Sequence, residues 1–182
     1  MKTIYIDIRY AFRLLTRGLK NLWRWFPVIW KDKDYDDHFI FEILKFKINN
    51  TAEYIEKRSF FVGYEHEVSR MRLANKLIGL IQSEYYDMEF MDYEKSTFEF
   101  VPIGEVNAKG EADYYEMKSE VIEDKLDDYF VKYPLIYKKV INQLGPDSSR
   151  TRIAIHMSRE NHDRAKRLLF NILHKHIENW WD

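Results

Sequence analysis

The sequence predicts a mainly α fold, four to five helices packed as one domain over residues 1–182, with at most a short two-stranded β element. Three observations carry this. Glycine and proline number only 6 and 4 among 182 residues, where average usage would supply roughly 22 together. Turns are therefore too few for an all-β fold. Phe, Tyr and Trp number 12, 13 and 5, ample for one core in a chain of this size. Finally, apolar residues recur at helical spacing through long stretches.

The first helix is expected from about Asp7 to Phe26, stopping before Pro27, because proline disfavours helical geometry in the residue ahead of it. A second follows the acidic cluster Asp32, Asp34, Asp36 and Asp37, suited to a helix N-terminus, and runs to about Arg58. The third spans Glu65 to Tyr86, with Val68, Met71, Leu77, Ile78, Ile81 and Tyr85 at helical spacing. Residues 97–103 read as a short edge strand or an extended loop. Residues 114–144 read as helical, broken at Pro134, and Gly145-Pro146-Asp147 forms a turn. Residues 150–157 fit either a strand or a backward extension of the last helix, which runs from an N-cap at Ser158 to Trp181. The first, second and last helices are expected to pack through their aromatic faces, with Trp180 and Trp181 packed down.

The formal net charge of −1 hides strong segregation. Residues 1–33 carry 8 basic and 2 acidic side chains, whereas 84–128 carry 4 and 15. The region from about 87 to 128 thus reads as an acidic, less regular insert. Such asymmetry bears on partners rather than on fold. On the first helix Arg9, Arg13, Arg17, Lys20 and Arg24 fall within an arc of roughly 80° at the helical period. Opposite them lie Ile8, Phe12, Leu15, Leu19, Leu22 and Phe26, the expected core side. A stripe of this kind serves three ends: polyanion binding, lying on an anionic membrane surface, or docking against the acidic segment of the same or another copy.

Two basic residues stand on apolar faces. Arg70 falls between Leu77 and Ile81 on the third helix, and Lys47 between Tyr54 and Ile40 on the second. A buried guanidinium requires an anionic or carbonyl partner. Arg70 either pairs with a carboxylate or, with Lys47, forms an anion site between helices; Lys47 otherwise snorkels to water. With Trp23 supplying an aromatic face for stacking, the candidate ligand-binding residues are Arg9, Arg13, Arg17, Lys47, Arg70 and Trp23.

No catalytic residue, cofactor or metal site is expected. The chain has no cysteine, which excludes disulfides, thiolate zinc sites and a cysteine nucleophile. It contains no P-loop, dinucleotide fingerprint, H-E-x-x-H or G-x-S-x-G. The run from Asp32 resembles the start of an EF-hand loop, but Asp37 stands where glycine is needed and Ile43 where glutamate is needed. His174 and His176 are two apart and diverge on a helix, so they cannot share a metal. His176 is expected as a hydrogen-bonded core histidine. Basic residues interrupt every apolar run near Met1, so neither a signal peptide nor a transmembrane segment is read.

The block Trp25-Phe26-Pro27-Val28-Ile29-Trp30-Lys31-Asp32-Lys33-Asp34-Tyr35-Asp36, with the terminal His176-Ile177-Glu178-Asn179-Trp180-Trp181-Asp182, resembles a group of short, uncharacterised proteins of tailed bacteriophages. The resemblance implies a phage product in the cytoplasm of the host bacterium and assigns no catalytic residue. Together with the basic and aromatic residues it sets the expectation of a nonenzymatic binding protein, sequestering a nucleotide-like anionic signal of bacterial immunity. The alternative is a phage structural or interaction protein acting by protein contacts, as a homo-oligomer. Nucleic-acid binding through the first helix ranks third, since the acidic segment opposes it.

Overall fold

The structure, a computed structural model, describes residues 2–31, 38–59, 61–106 and 112–180. The helices are α1 (Lys2–Ile29), α2 (His38–Arg58), α3 (Tyr64–Gln82), α4 (Tyr85–Met88), α5 (Leu126–Lys132), α6 (Pro134–Leu144) and α7 (Arg150–His176). Strands β1 (Glu94–Val106) and β2 (Ala112–Asp124) form one antiparallel hairpin, and short 3-10 turns occupy Glu89–Asp92 and Ile177–Trp180. The mainly α class with a two-stranded element is correct. The helices number seven among the described residues rather than four to five, because α4 is separate and Pro134 divides α5 from α6. The acidic cluster at 32–37, the EF-hand-like run and Trp181 lie outside the described residues. The chain folds as two compact units, residues 1–78 with 178–182, and residues 79–177.

In the first unit α1 runs through Pro27 to Ile29, where the sequence had placed its stop. Proline removes one intrahelical hydrogen bond, but so near the C-terminus the Trp30 N–H still donates to the Phe26 carbonyl at 2.9 Å. α2 buries Phe39, Ile48, Thr51, Ala52 and Ile55, and α3 buries Val68, Met71, Ala74, Leu77 and Ile78, each a helical stripe. Arg72 of α3 donates to Asn49 Oδ1 at 2.6 Å and to Glu56 Oε2 at 3.0 Å, tying α3 to α2. Trp180 is buried, as expected, and its Nε1 donates to Glu67 Oε2 at 3.1 Å. α1 meets α2 where Trp25 packs edge-on against Phe46, with ring centroids 4.8 Å apart.

The second unit is built around Leu126, Tyr129, Phe130, Ile136, Val140, Ile153, Ala154 and Met157 from α5, α6 and α7. Rings thicken this core: Tyr129 lies 5.4 Å from both Tyr93 and Tyr133, and Phe130 stacks on Tyr137 at 4.7 Å. Residues 150–157 are the first turns of α7. Its N-cap is Ser149, whose Oγ accepts from the Arg152 N–H at 3.3 Å, and not Ser158. Ser158 lies buried inside the helix and donates to the Ile155 carbonyl at 2.8 Å. Gly145 ends α6 at φ 88°, a left-handed position that suits glycine.

The largest departure from expectation is residues 114–124, predicted helical but forming β2. In the ladder Phe100 faces Met117, Pro102 faces Tyr115 and Ser96 faces Val121, while Thr97 faces Glu120 and Glu99 faces Lys118. Tyr115, Met117, Ser119 and Val121 alternate with Glu116, Lys118 and Glu120, a period of two, and β1 supplies the partner that makes this alternation decisive. The hairpin is fixed at its base. Lys125 N donates to the Tyr93 carbonyl at 2.7 Å, Thr151 Oγ1 to Glu94 at 2.7 Å, and Arg150 pairs with Asp124 and Asp127 at 2.9 and 3.0 Å. Beyond this base every β2 residue from 113 to 122 is exposed.

Candidate functional site

The expected basic stripe is present as one continuous surface. Arg9, Arg13, Arg17, Lys20 and Arg24 are exposed along α1, and the sequence places no acidic residue between Ile8 and Lys31. Arg13, Thr16, Arg17, Lys20, Asn21 and Arg24 line a depression on that side. The opposite side departs from expectation, because it is not a core. Ile8, Phe12, Leu15, Leu19, Leu22 and Phe26 are all exposed, Phe12 at 66%, and Trp23 is 82% exposed. A second depression there is lined by Leu19, Lys20, Leu22, Trp23 and Phe26. The helical period sorted the residues correctly, but among the described residues these six apolar side chains stay open to solvent. Soluble proteins rarely leave so large an apolar surface open unless it meets something.

The remaining expected ligand residues do not join this surface into a pocket. Arg70 pairs with Glu67 one turn earlier on α3, with its own side chain 41% exposed. This is the carboxylate partner its position demanded. Lys47 is exposed at the edge of the buried stripe of α2, one turn before Thr51, whose hydroxyl donates to the Lys47 carbonyl at 3.0 Å. Both depressions on α1 are lined by α1 alone, and one helix cannot enclose the 70–90% of a small ligand that a pocket normally covers. Arg9, Arg13, Arg17 and Trp23 therefore form an extended surface, with Arg70 and Lys47 placed elsewhere.

The structure also assembles a polar cluster that sequence reasoning missed. Glu89, only 3% exposed, lies in the 3-10 turn after α4. Its carboxylate accepts from Lys132 Nζ, from the Tyr133 hydroxyl at 2.8 Å and from the Tyr85 hydroxyl at 3.3 Å. A buried carboxylate requires this saturation. The only hint in the sequence is a glutamate between aromatic residues, in a stretch whose many other acids are solvated.

Neighbouring acids respond to this arrangement. Burial, aided by the Glu89 carboxylate, raises the Tyr133 phenol, while the Glu89 charge raises Tyr85 first and burial second. Burial pushes Tyr129 up to about 12, against an opposing effect of the Asn161 side chain. Neither the Tyr129 hydroxyl nor Asn161 Nδ2 completes a hydrogen bond of normal geometry among the described residues. The hydrogen bond to Glu89 raises Lys132 above the ordinary lysine value.

Asp87 Oδ2 lies 2.9 Å from His162 Nδ1. His176 Nδ1 is buried without a hydrogen-bond partner among the described residues, so the core histidine expected there is not bonded through that nitrogen. No cluster of three or more metal-ligating side chains occurs among the described residues.

No protein family, curated protein or solved structure matches the chain. The site is therefore defined by its own geometry: an amphipathic helix open on both faces.

Three outcomes follow. Arg70→Ala should cost no more than about 1 kcal/mol in urea denaturation, as an exposed pair on a single helix does. Glu89→Gln should cost about 2 kcal/mol, since it leaves Lys132 and two phenols with a weaker acceptor. Lys132 is itself 42% exposed, which keeps the loss below that of a fully buried pair. Finally, Tyr85, Tyr129, Tyr133 and Lys132 all hold their protons more tightly folded than unfolded. Their stabilisation is complete below about pH 10, where unfolded tyrosine and lysine begin to ionise, and is lost as pH rises toward the folded values. Melting temperatures should fall steeply between about pH 10 and about pH 12, and Tyr129→Phe should make the fall shallower.

Proposed function

We propose that this chain is a nonenzymatic binding protein that attaches to an anionic membrane surface through α1. The observation that supports this reading is the solvent exposure of Ile8, Phe12, Leu15, Leu19, Leu22 and Phe26 opposite the cationic stripe of α1. A polyanion such as nucleic acid would use the stripe and leave Phe12, Leu15, Leu19, Leu22 and Phe26 in water. A bilayer interface takes both faces at once, the apolar side chains at the acyl boundary and the arginines at the headgroups. Trp23 and Trp30, 82% and 74% exposed, are residues suited to that depth. No described helix is long and apolar enough to cross a membrane, so the mode is in-plane.

Magnitudes agree. Each basic side chain near an anionic surface contributes about 1 kcal/mol at physiological salt, so five supply roughly 5 kcal/mol. Six half-exposed apolar side chains, at about 1 kcal/mol each for the area still in water, supply a similar amount. Neither term alone overcomes the cost of association with much to spare. Selectivity for anionic lipid follows from needing both. In the setting implied by the phage resemblance, the surface is the inner face of the host membrane. Sequestration of a nucleotide-like signal draws less support, since Arg70 is engaged by Glu67 and the depression that gathers Arg13, Arg17, Lys20 and Arg24 is an open one lined by α1 alone.

The full chain should co-sediment with vesicles containing anionic phosphatidylglycerol and not with pure phosphatidylcholine, with a blue shift of tryptophan emission. Leu19→Glu should abolish both. Arg13→Ala combined with Arg17→Ala should weaken binding about tenfold or more. Equal binding to nucleic acid with Leu19→Glu silent would replace the membrane reading by the nucleic-acid one.

A further inference from the structure

The hairpin carries a second open apolar surface, independent of α1. Directly opposed residues of an antiparallel ladder share a face. The register therefore puts Phe98, Phe100, Pro102, Tyr115, Met117 and Val121 on one side, with Ser96 and Ser119 between them. Thr97, Glu99, Glu116, Lys118 and Glu120 occupy the other side, with Val101, Ile103 and Tyr114 toward the tip. On the apolar side Phe98, Phe100 and Met117 are 60%, 66% and 58% exposed, and Tyr115 and Val121 about half exposed. Among the described residues the hairpin has no third strand. A two-stranded ribbon without a covered face is at best marginally stable in water, and strands as long as these need one.

We infer that this face is a homodimer interface, on which the hairpin of a second copy packs face to face about a two-fold axis. Charge selects the occupant. The two strands carry eight acidic residues against two basic, so an anionic bilayer would repel the hairpin even as it attracts α1. Edge-to-edge pairing of two copies would set Glu99, Glu116 and Glu120 of each in one continuous acidic face. Face-to-face packing, with sheets about 10 Å apart, turns those glutamates outward on opposite sides and brings together apolar groups, the Tyr115 rings and two serines from each copy, with no charged group.

Area is consistent with this. The exposed portions of these side chains amount to roughly 500 Å² per copy, or on the order of 1,000 Å² for the pair. That is the lower bound of a specific interface, so the dimer should dissociate on dilution in roughly the micromolar range. Self-complementarity is what a two-fold contact demands, and every contact then runs from an apolar face to its own copy.

Sedimentation of the full chain without lipid tests this apart from membrane attachment. The protein should be dimeric at roughly 100 µM and shift toward monomer on dilution. Phe100→Asp with Met117→Asp should be monomeric throughout with an unchanged far-UV spectrum, whereas Glu116→Gln with Glu120→Gln should remain dimeric. Because the chain has no cysteine, a single introduced thiol reports the geometry. Ser119→Cys should be captured as a covalent dimer by a short bifunctional maleimide, and Thr97→Cys should not. A monomeric wild type, a dimer that survives Phe100→Asp with Met117→Asp, or equal capture at both thiols would each overturn the interface.

Discussion

Glu89 is the constraint on which the second unit depends. A carboxylate removed from water must have its lone pairs filled, and the groups that fill them come from separate elements: Lys132 from α5, Tyr133 at the junction with α6, and Tyr85 from α4. Satisfying one side chain thereby fixes how α4 and its following turn sit on α5 and α6. The aromatic rings around Tyr129 then fill the space between these helices and α7. Removing the carboxylate would leave the half-buried Tyr133 hydroxyl without its acceptor, while Lys132 and Tyr85, both partly exposed, could turn to water.

The two open amphipathic surfaces contrast with this closed core. α1 and the β1–β2 hairpin both gather their charged residues on one side, one with the helical period and the other with the strand period, and among the described residues neither has its apolar side covered. Their charges have opposite sign. The cationic helix and the acidic hairpin therefore suit different environments, an anionic interface for the first and a second copy for the second. A dimer joined through its hairpins would carry two copies of α1. Two weak attachments to one surface combine through effective concentration when geometry lets both engage, so pairing and membrane attachment reinforce one another in the proposed scheme.

Some of this was legible in the chain alone. The faces of α1, the buried stripe of α3, the break at Pro134 and the turn at Gly145 follow from local spacing and the backbone limits of proline and glycine. Other readings failed for identifiable reasons. Pro27 did not end α1, because a proline in the last turn forfeits only one hydrogen bond. Residues 114–124 read as helical although Tyr115, Met117, Ser119 and Val121 alternate; a strand is justified only by a partner, and that partner, β1, is set by the pairing of the two segments. Ser149 rather than Ser158 caps α7, since Ile153, Ala154 and Met157 bury a helical stripe ahead of Ser158. Glu89 was indistinguishable from its solvated neighbours, because burial depends on elements more than forty residues away.

The sequence by itself determined where charge and hydrophobicity lie around each element, since side-chain direction follows from the local periods of helix and strand. It thus settled the basic stripe of α1 and the class of the fold. Only the tertiary structure decided which of those faces become core. Burial is a property of pairs of elements: α3 and α7 found partners for their apolar stripes, while among the described residues the apolar faces of α1 and the hairpin stay open. That difference moved the candidate function from an enclosed ligand to an exposed surface.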